Sequence, residues 1–337
     1  MPRILIVAPN WVGDTMLAQP LFARLHRRLP GVVVDALAPA WTAPVLRRMP
    51  EIGEVIETPI EHGRLDLRMR WRVGRSLRGR RYDEAIVLPN SFKAALIPFF
   101  ADIPLRVGFV GESRFGLLNI VHRLDDRKLP LMAERYALLA EKPGDAPAKP
   151  LANGELTVDQ ANLIITVGRL GLDRRKPVVV FCPGAEYGPA KRWPPRHFAE
   201  LAKRLAAHGR TIWLLGAESE RAIGEEIARL SGGTAVDVCG RTDLAGAIDL
   251  MSVAELVVTN DSGLMHVAAA LDKPVVALYG SSSPDHTPPL SERARLVKVE
   301  GLACSPCYQR ECPLGHFKCM NDLTPEMVIS EIEAIEA

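Results

Sequence analysis

The sequence predicts an α/β protein of two halves in tandem, each with a parallel sheet covered by helices. Three observations predict the layered α/β halves. Short apolar runs with the composition of buried strands recur along the chain, helical periodicities lie between them, and a Pro- and Gly-containing stretch at 142–150 (KPGDAPAKP) interrupts the series near its middle. At 337 residues, 47% hydrophobic and 24% charged, the chain has the length of two ordinary soluble domains and enough apolar material for two cores. The expected division is 1–150, ending in the linker, and 151–337.

The elements follow in order. Residues 4–8 (ILIVA) read as a buried strand and the periodic stretch 15–29 as a helix after it. Strands at 32–37, 55–58, 84–88 and 106–109 continue the first half, and 133–139 reads as a helix near its end. Beyond the linker, 178–181, 211–215, 236–238, 256–259 and 275–278 read as strands. Helices are expected over 197–208, opened by Pro194 or Pro195, and over 218–230. This alternation implies crossover connections and parallel sheets, in which ligands bind at the carboxyl ends of the strands. With two such halves, the space between them is the expected active site. A carboxy-terminal helix is a candidate to pack back on the first half.

Composition excludes several classes. The longest apolar stretches, such as 94–100 and 253–258, are too short to span a bilayer, and the chain opens on a strand without a signal-peptide layout. A cytoplasmic protein is expected. The net charge of +2 hides an asymmetry: residues 1–150 hold 23 Lys and Arg against 16 Asp and Glu, and the remainder 19 against 24. Much of the surplus lies at 64–81, where Arg64, Arg68, Arg70, Arg72, Arg75, Arg78, Arg80 and Arg81 face only Asp66. Such a patch suits an anionic partner or membrane surface; it also suits a solvated helix face with Leu67 and Trp71 packing inward. Nucleic acid is not an expected partner, because aromatics are 6% of the chain and no nucleic-acid module is present.

Four loops carry the chemistry. Residues 255–271 (ELVVTNDSGLMHVAAAL) place Asn260, Asp261, Ser262 and Gly263 where a strand ends and a helix begins, with His266 one turn inside. The first N–H groups of a helix lack intrahelical partners and its dipole is positive there, which suits a phosphate. The same turn also reads as a plain capped helix with Asp261 or Ser262 as cap. The first strand leads into Asn10, Trp11, Val12, Gly13 and Asp14, which is not a dinucleotide fingerprint. Asp14 is either an N-cap or a general base. The loop 182–195 (CPGAEYGPAKRWPP) carries Lys191 as a cation at a strand end, and Gly216-Ala217-Glu218 offers a carboxylate to ribose hydroxyls or to the helix dipole.

Together, Asn10 to Asp14, Pro183 to Pro194, Gly216-Ala217-Glu218 and Asn260 to His266 resemble the motifs of the ADP-heptose:lipopolysaccharide heptosyltransferases of glycosyltransferase family 9. The resemblance covers essentially the whole chain, and the first two motifs are closer to the heptosyltransferase II branch than to heptosyltransferase I. It implies a GT-B architecture, two Rossmann-like domains with parallel sheets facing a central cleft, acceptor mainly on the first domain and nucleotide sugar on the second. The implied reaction moves L-glycero-D-manno-heptose, with inversion, from ADP-heptose to the heptosyl-Kdo2-lipid A inner core of lipopolysaccharide.

The resemblance also implies roles. Asp14 would be the base, and Lys191 with the Ser262, Gly263 and Leu264 amides would neutralise departing ADP. Glu218 would hold the ribose, backbone near Thr242 would meet adenine, and Asp261 with His266 would orient sugar or diphosphate. Asn10, Trp11 and Gly13 would form the acceptor-side loop. Glu186 and Tyr187 stand where relatives carry hydroxylated donor-binding residues, which leaves them backbone contact. No D-x-D motif lies near a strand end, so catalysis is expected to need no metal or other cofactor beyond the ADP-heptose donor. The lipid A-linked acceptor would bring the protein to the anionic inner face of the inner membrane as a peripheral protein. The alternatives are heptosyltransferase I acting on Kdo2-lipid A, a GT-B-like nucleotide-sugar epimerase, and a non-catalytic bilobal binding protein.

Six cysteines remain. Cys304, Cys307, Cys312 and Cys319 crowd one segment with His316, and either form a structural metal site or pack a loop as reduced thiols. Cys182 and Cys239 flank strand ends and read as buried thiols.

Overall fold

Apolar runs rich in Val, Ile and Leu become two six-stranded parallel sheets, one in each of two units, Met1–Gly154 and Glu155–Ala337. The computed structural model describes residues 1–60 and 63–336. The first unit runs β1 (Arg3–Val7), α1 (Val12–Leu17), α2 (Gln19–Arg28), β2 (Val33–Pro39), α3 (Ala43–Leu46), β3 (Val55–Thr58), α4 (Leu67–Leu77), β4 (Glu84–Val87), α5 (Phe92–Phe100), β5 (Leu105–Phe109), β6 (Ile120–His122) and α6 (Met132–Leu138). Its strand order is β3-β2-β1-β4-β5-β6, with Ile4 opposite Val34 on one side and Glu84 on the other. The order reverses between β1 and β4. In open α/β sheets the crevice for a ligand opens at that reversal, beyond the strands' carboxyl ends.

The helix expected over 15–29 is two helices that meet at Ala18. Pro20 lies in the first turn of α2, where its missing N–H costs nothing; inside one continuous helix it would remove a hydrogen bond and clash with the preceding turn. The arginine-rich segment does form a helix, α4, capped by Asp66, whose carboxylate accepts from the Met69 N–H at 3.1 Å. Gly74 seats α4 on α5: a Cβ there would come within 2.6 Å of the Phe100 Cβ. The expectation that Leu67 and Trp71 pack inward is overturned, since both are about half exposed.

The second unit runs α7 (Gln160–Leu170), β7 (Val178–Cys182), α8 (Pro195–Ala207), β8 (Thr211–Leu214), α9 (Arg221–Leu230), β9 (Ala235–Asp237), α10 (Leu244–Met251), β10 (Leu256–Asn260), α11 (Gly263–Ala270), β11 (Val275–Tyr279), β12 (Ala294–Lys298), α12 (Lys318–Asn321) and α13 (Pro325–Glu336). The strand order is β12-β11-β10-β7-β8-β9, with its reversal between β7 and β10. Both strands are buried along their whole length, and β7 and the first part of β10, Leu256 to Val258, are continuously apolar rather than alternating. Pro195 is the first residue of α8, preset for a helix start. Phe198, Leu201, Ala202 and Leu205 turn one face of α8 onto the sheet, where Phe181, Trp193 and Leu214 complete the core. Each fully buried side chain of this size contributes roughly 1.5–3 kcal/mol. α13 packs on α8, β11 and β12 of its own unit.

Candidate functional site

At the β7/β10 reversal of the second unit, the sequence places two buried polar residues, Thr259 and Asn260, at the end of a strand that begins apolar. Asn260 is fully buried, and its side-chain hydrogen bonds go to the loop after β7. Its Nδ2 donates to the Pro183 carbonyl at 2.7 Å and to the Gly184 carbonyl at 3.3 Å, while its Oδ1 accepts from the Trp193 N–H at 3.0 Å. Trp193 in turn donates its indole N–H to the Leu323 carbonyl at 2.7 Å. One side chain therefore holds both ends of the loop that carries Lys191.

Lys191 and Asp261, distant in sequence, meet through a 2.5 Å ion pair, with the lysine side chain 17% exposed and the aspartate 5%. Asp261 is thus not a helix cap, as one reading of the turn had it. Ser262 occupies the cap position of α11 and makes no side-chain capping bond, so its backbone and those of Gly263 and Leu264 start the helix beside the ion pair. His266, one turn in, is buried; its pKa is pushed down to about 4 by burial, with Lys191 adding to the fall and Asp261 opposing it. At neutral pH it is an uncharged imidazole. The Tyr279 phenol is pushed up by burial and by the Asp261 charge, and donates to the Thr287 carbonyl at 2.9 Å.

The other donor-side residues differ in their engagement. Tyr187 lies beneath two cations, with Lys191 Nζ 5.1 Å and the Arg310 guanidinium 5.4 Å from its ring centre, and its hydroxyl donates to the Tyr308 carbonyl at 2.7 Å. Glu186 is exposed. Glu218 is exposed and accepts from Arg221 at 2.7 Å, in the short turn ahead of α9. Thr242 is half-buried just before α10, whose cap is Asp243. Glu220 was not singled out in the sequence, yet its carboxyl is buried, accepts from the Ala217 N–H at 2.8 Å, and lies where a Cβ on Gly184 would come within 1.6 Å of Oε1. Burial raises its pKa. The legible signal was the pair of glycines, Gly184 and Gly216, that its carboxyl requires.

The cysteine-rich segment packs under this loop. The Arg310 carbonyl accepts from the Ala190 N–H at 3.0 Å, and a Cβ on Gly188 would lie 2.4 Å from that same oxygen. Cys304, Cys307, Cys312 and Cys319 are free and partly exposed. Burial pushes the Cys319 thiol up to about 11, helped by the charges of Cys307, Cys312 and Cys304, whereas N–H groups led by that of Phe317 lower Cys312. Among the described residues no group of three or more His, Cys, Asp or Glu side chains is disposed to hold a metal ion.

The first unit presents its own strand-end site. Asp14 is the third residue of α1 and half-buried, and the cap position is Trp11, so the reading of Asp14 as an N-cap is overturned. The Tyr136 phenol, buried on α6, is pushed well up by burial and next by the Asp14 charge, which places the carboxylate in its field. The Asn10 carbonyl accepts from the Trp41 indole at 2.7 Å, Trp11 is 42% exposed, and Gly13 lies within α1. At the β1/β4 reversal lies an open cavity whose lining includes Asn10, Thr58, Arg70, Ser91 and Lys93. Arg70 is 7% exposed, held by the Leu65 carbonyl at 2.5 Å and the Arg64 carbonyl at 3.0 Å. Ser91 and Lys93 begin α5 and gave no sequence signal beyond following a strand.

Comparison with known proteins gives this geometry a family. Residues 70–318 match the family described as glycosyltransferase family 9 (heptosyltransferase). The lipopolysaccharide heptosyltransferase 2 of Escherichia coli (strain K12) is 45% identical, over 99% of this chain and 98% of the relative. The lipooligosaccharide heptosyltransferase 2 of Haemophilus influenzae is 41% identical, over 99% of each. The solved structure of E. coli ADP-heptose lps heptosyltransferase II superposes with a TM-score of 0.88 at 42% identity, covering 99% of this chain and 98% of that one.

Proposed function

Because this chain belongs to glycosyltransferase family 9, the heptosyltransferases, and is a glycosyltransferase, we propose that it moves L-glycero-D-manno-heptose from ADP-heptose to the first heptose of a lipid A-linked inner core. The identity of the relatives favours this acceptor over Kdo2-lipid A and favours transfer over epimerisation. The structural observation that carries the reading is the Lys191–Asp261 pair beside the first turn of α11, at the sheet's reversal point.

In the proposed mechanism Asp14 takes the proton from the acceptor hydroxyl, whose oxygen attacks the anomeric carbon while the bond to the ADP oxygen breaks. Inversion follows from this single displacement. Lys191 and the amides of Ser262, Gly263 and Leu264 neutralise the charge that develops on departing ADP, so no metal is required for that step. Asp261 holds Lys191 in place, and His266, uncharged at neutral pH, serves as a hydrogen-bonding group rather than a cation. Glu218 receives the ribose, and backbone near Thr242 the adenine. Glu186 and Tyr187 contribute backbone, and Tyr187 also supports Lys191 from below. Asn10, Trp11 and Gly13 form the acceptor-side loop. Among the described residues no helix is long and apolar enough to cross a membrane; a peripheral position on the anionic, cytoplasmic face of the inner membrane is part of the proposal.

The deciding experiment is incubation with ADP-heptose and defined lipid A precursors, followed by product mass. One added heptose on the heptosylated precursor is expected. Addition to the Kdo-terminated precursor alone would overturn the assignment of acceptor. No addition to either would overturn the transfer.

A further inference from the structure

We infer that the outward face of α4 is a bilayer-contact surface, on which Trp71 and Leu67 insert among lipid headgroups while Arg68, Arg72 and Arg75 pair with lipid phosphates. The inference rests on the reading of a lipid-anchored acceptor given above, and adds the surface by which the protein reaches it. Packing against α5 through Gly74, with Leu77 buried and Val73 partly so, fixes which way the helix faces. Leu67, Arg68, Trp71, Arg72 and Arg75 then form one exposed stripe, at the i, i+1, i+4, i+5 and i+8 spacing of a single helix face. Leu65, at 46% exposure, extends its apolar part just ahead of the helix.

Arg78 pairs with Asp102 at 2.5 Å and Arg80 with Glu54, whereas Arg68, Arg72 and Arg75 have no carboxylate partner among the described residues. Arg75 instead stacks on the Trp71 ring at 5.6 Å. Exposed Trp and Leu side chains between unpaired arginines match an anionic interface, where the ring lies at headgroup depth and the guanidinium groups meet phosphate. A second copy of the chain fits poorly, because a symmetric contact would set the arginine stripe against itself. The inner side of the same helix supplies Arg70 to the cavity at the β1/β4 reversal. A helix lying on the bilayer would thus hold that cavity close to the surface from which a lipid-anchored substrate projects.

Flotation of the purified full chain with vesicles tests this. One set is phosphatidylcholine alone and the other contains about a third phosphatidylglycerol. Wild type is expected on the anionic vesicles only, with binding that falls as salt rises. Replacing Arg68, Arg72 and Arg75 by Ser should lower the partition coefficient by about a hundredfold, and Trp71→Ser should lower it about tenfold at constant charge. Removing Arg174, Lys176 and Arg229 from the second unit should leave it unchanged. Equal loss in that control, equal binding to both vesicle types, or wild-type binding by the triple variant would each overturn the inference, as would self-association without vesicles that Trp71→Ser abolishes. Turnover of a water-soluble, deacylated acceptor should be the same in all four proteins. If that turnover is absent in wild type, the proposed reaction fails, while flotation still decides the surface.

Discussion

Lys191 and Asp261 show how one contact decides several properties. Their charges are largely withdrawn from water, so removing one leaves the other uncompensated. Lys191→Met is expected to lower kcat about 10²- to 10³-fold, the scale of losing one stabiliser of developing charge. It should also destabilise the fold, and adding Asp261→Asn should restore stability without activity, as thermal melts and steady-state rates would show. His266 makes a prediction about pH. Its folded pKa of about 4 lies below its ordinary 6.5, so between those values the unfolded chain binds a proton that the folded chain refuses. Stability should therefore fall as pH drops from about 6.5 towards 4. His266→Gln should flatten that fall in urea titrations, although buried His122 and half-buried His197, also shifted downward, keep part of it.

At the scale of elements, the loop between β7 and α8 is held by contacts from far along the chain. Asn260→Ala would leave the Pro183 and Gly184 carbonyls and the Trp193 N–H without their partner. A loss of about 1–3 kcal/mol follows from exposing such buried groups, and KM for ADP-heptose should rise because Lys191 rides on the same loop. Gly184→Ala should be worse tolerated than most surface changes, since the new methyl would overlap the Glu220 carboxyl. Glu220→Ala in the same chain should recover part of the loss. How far elements were legible depended on burial. β7 and the start of β10 are buried and read as plain apolar runs, whereas β6 is three residues long and β12 breaks its apolar positions with Arg295 and Lys298 at a sheet edge. Neither edge strand had a pattern that sequence periodicity could resolve. Leu67 and Trp71 misled for the opposite reason: apolar residues are normally read as inward, and here the inner face of α4 is made by Arg70, Gly74 and Leu77.

For the whole molecule, ligand linkage separates the roles proposed for the two units. ADP at a hundredfold excess over its Kd should stabilise the folded chain by about 2.7 kcal/mol. The corresponding rise in melting temperature should persist in Asp14→Asn, which is expected to abolish transfer, and should shrink in Lys191→Met. Loss of the ADP effect in Asp14→Asn would count against its assignment as base. Turnover should be unchanged by a chelator, because the proposed chemistry stabilises ADP with Lys191 and α11; a chelator-sensitive rate would overturn that account.

By itself, the sequence determined the α/β class, the parallel alternation of both halves and membership in a heptose-transferring family, because strand burial and motif order are local or linear properties. The loops that bear Asp14, Lys191, Glu218 and Asp261 could be named as strand-end loops for the same reason. Only the tertiary structure decided which of these groups are partners. It set Asp261 against Lys191, Asn260 against Pro183, Glu220 beneath Gly184 and the Arg68–Arg72–Arg75 stripe away from the core. Such pairings depend on where parallel strands end relative to one another and on which helix face meets the sheet. Those distances exist only once the chain has closed its long-range contacts.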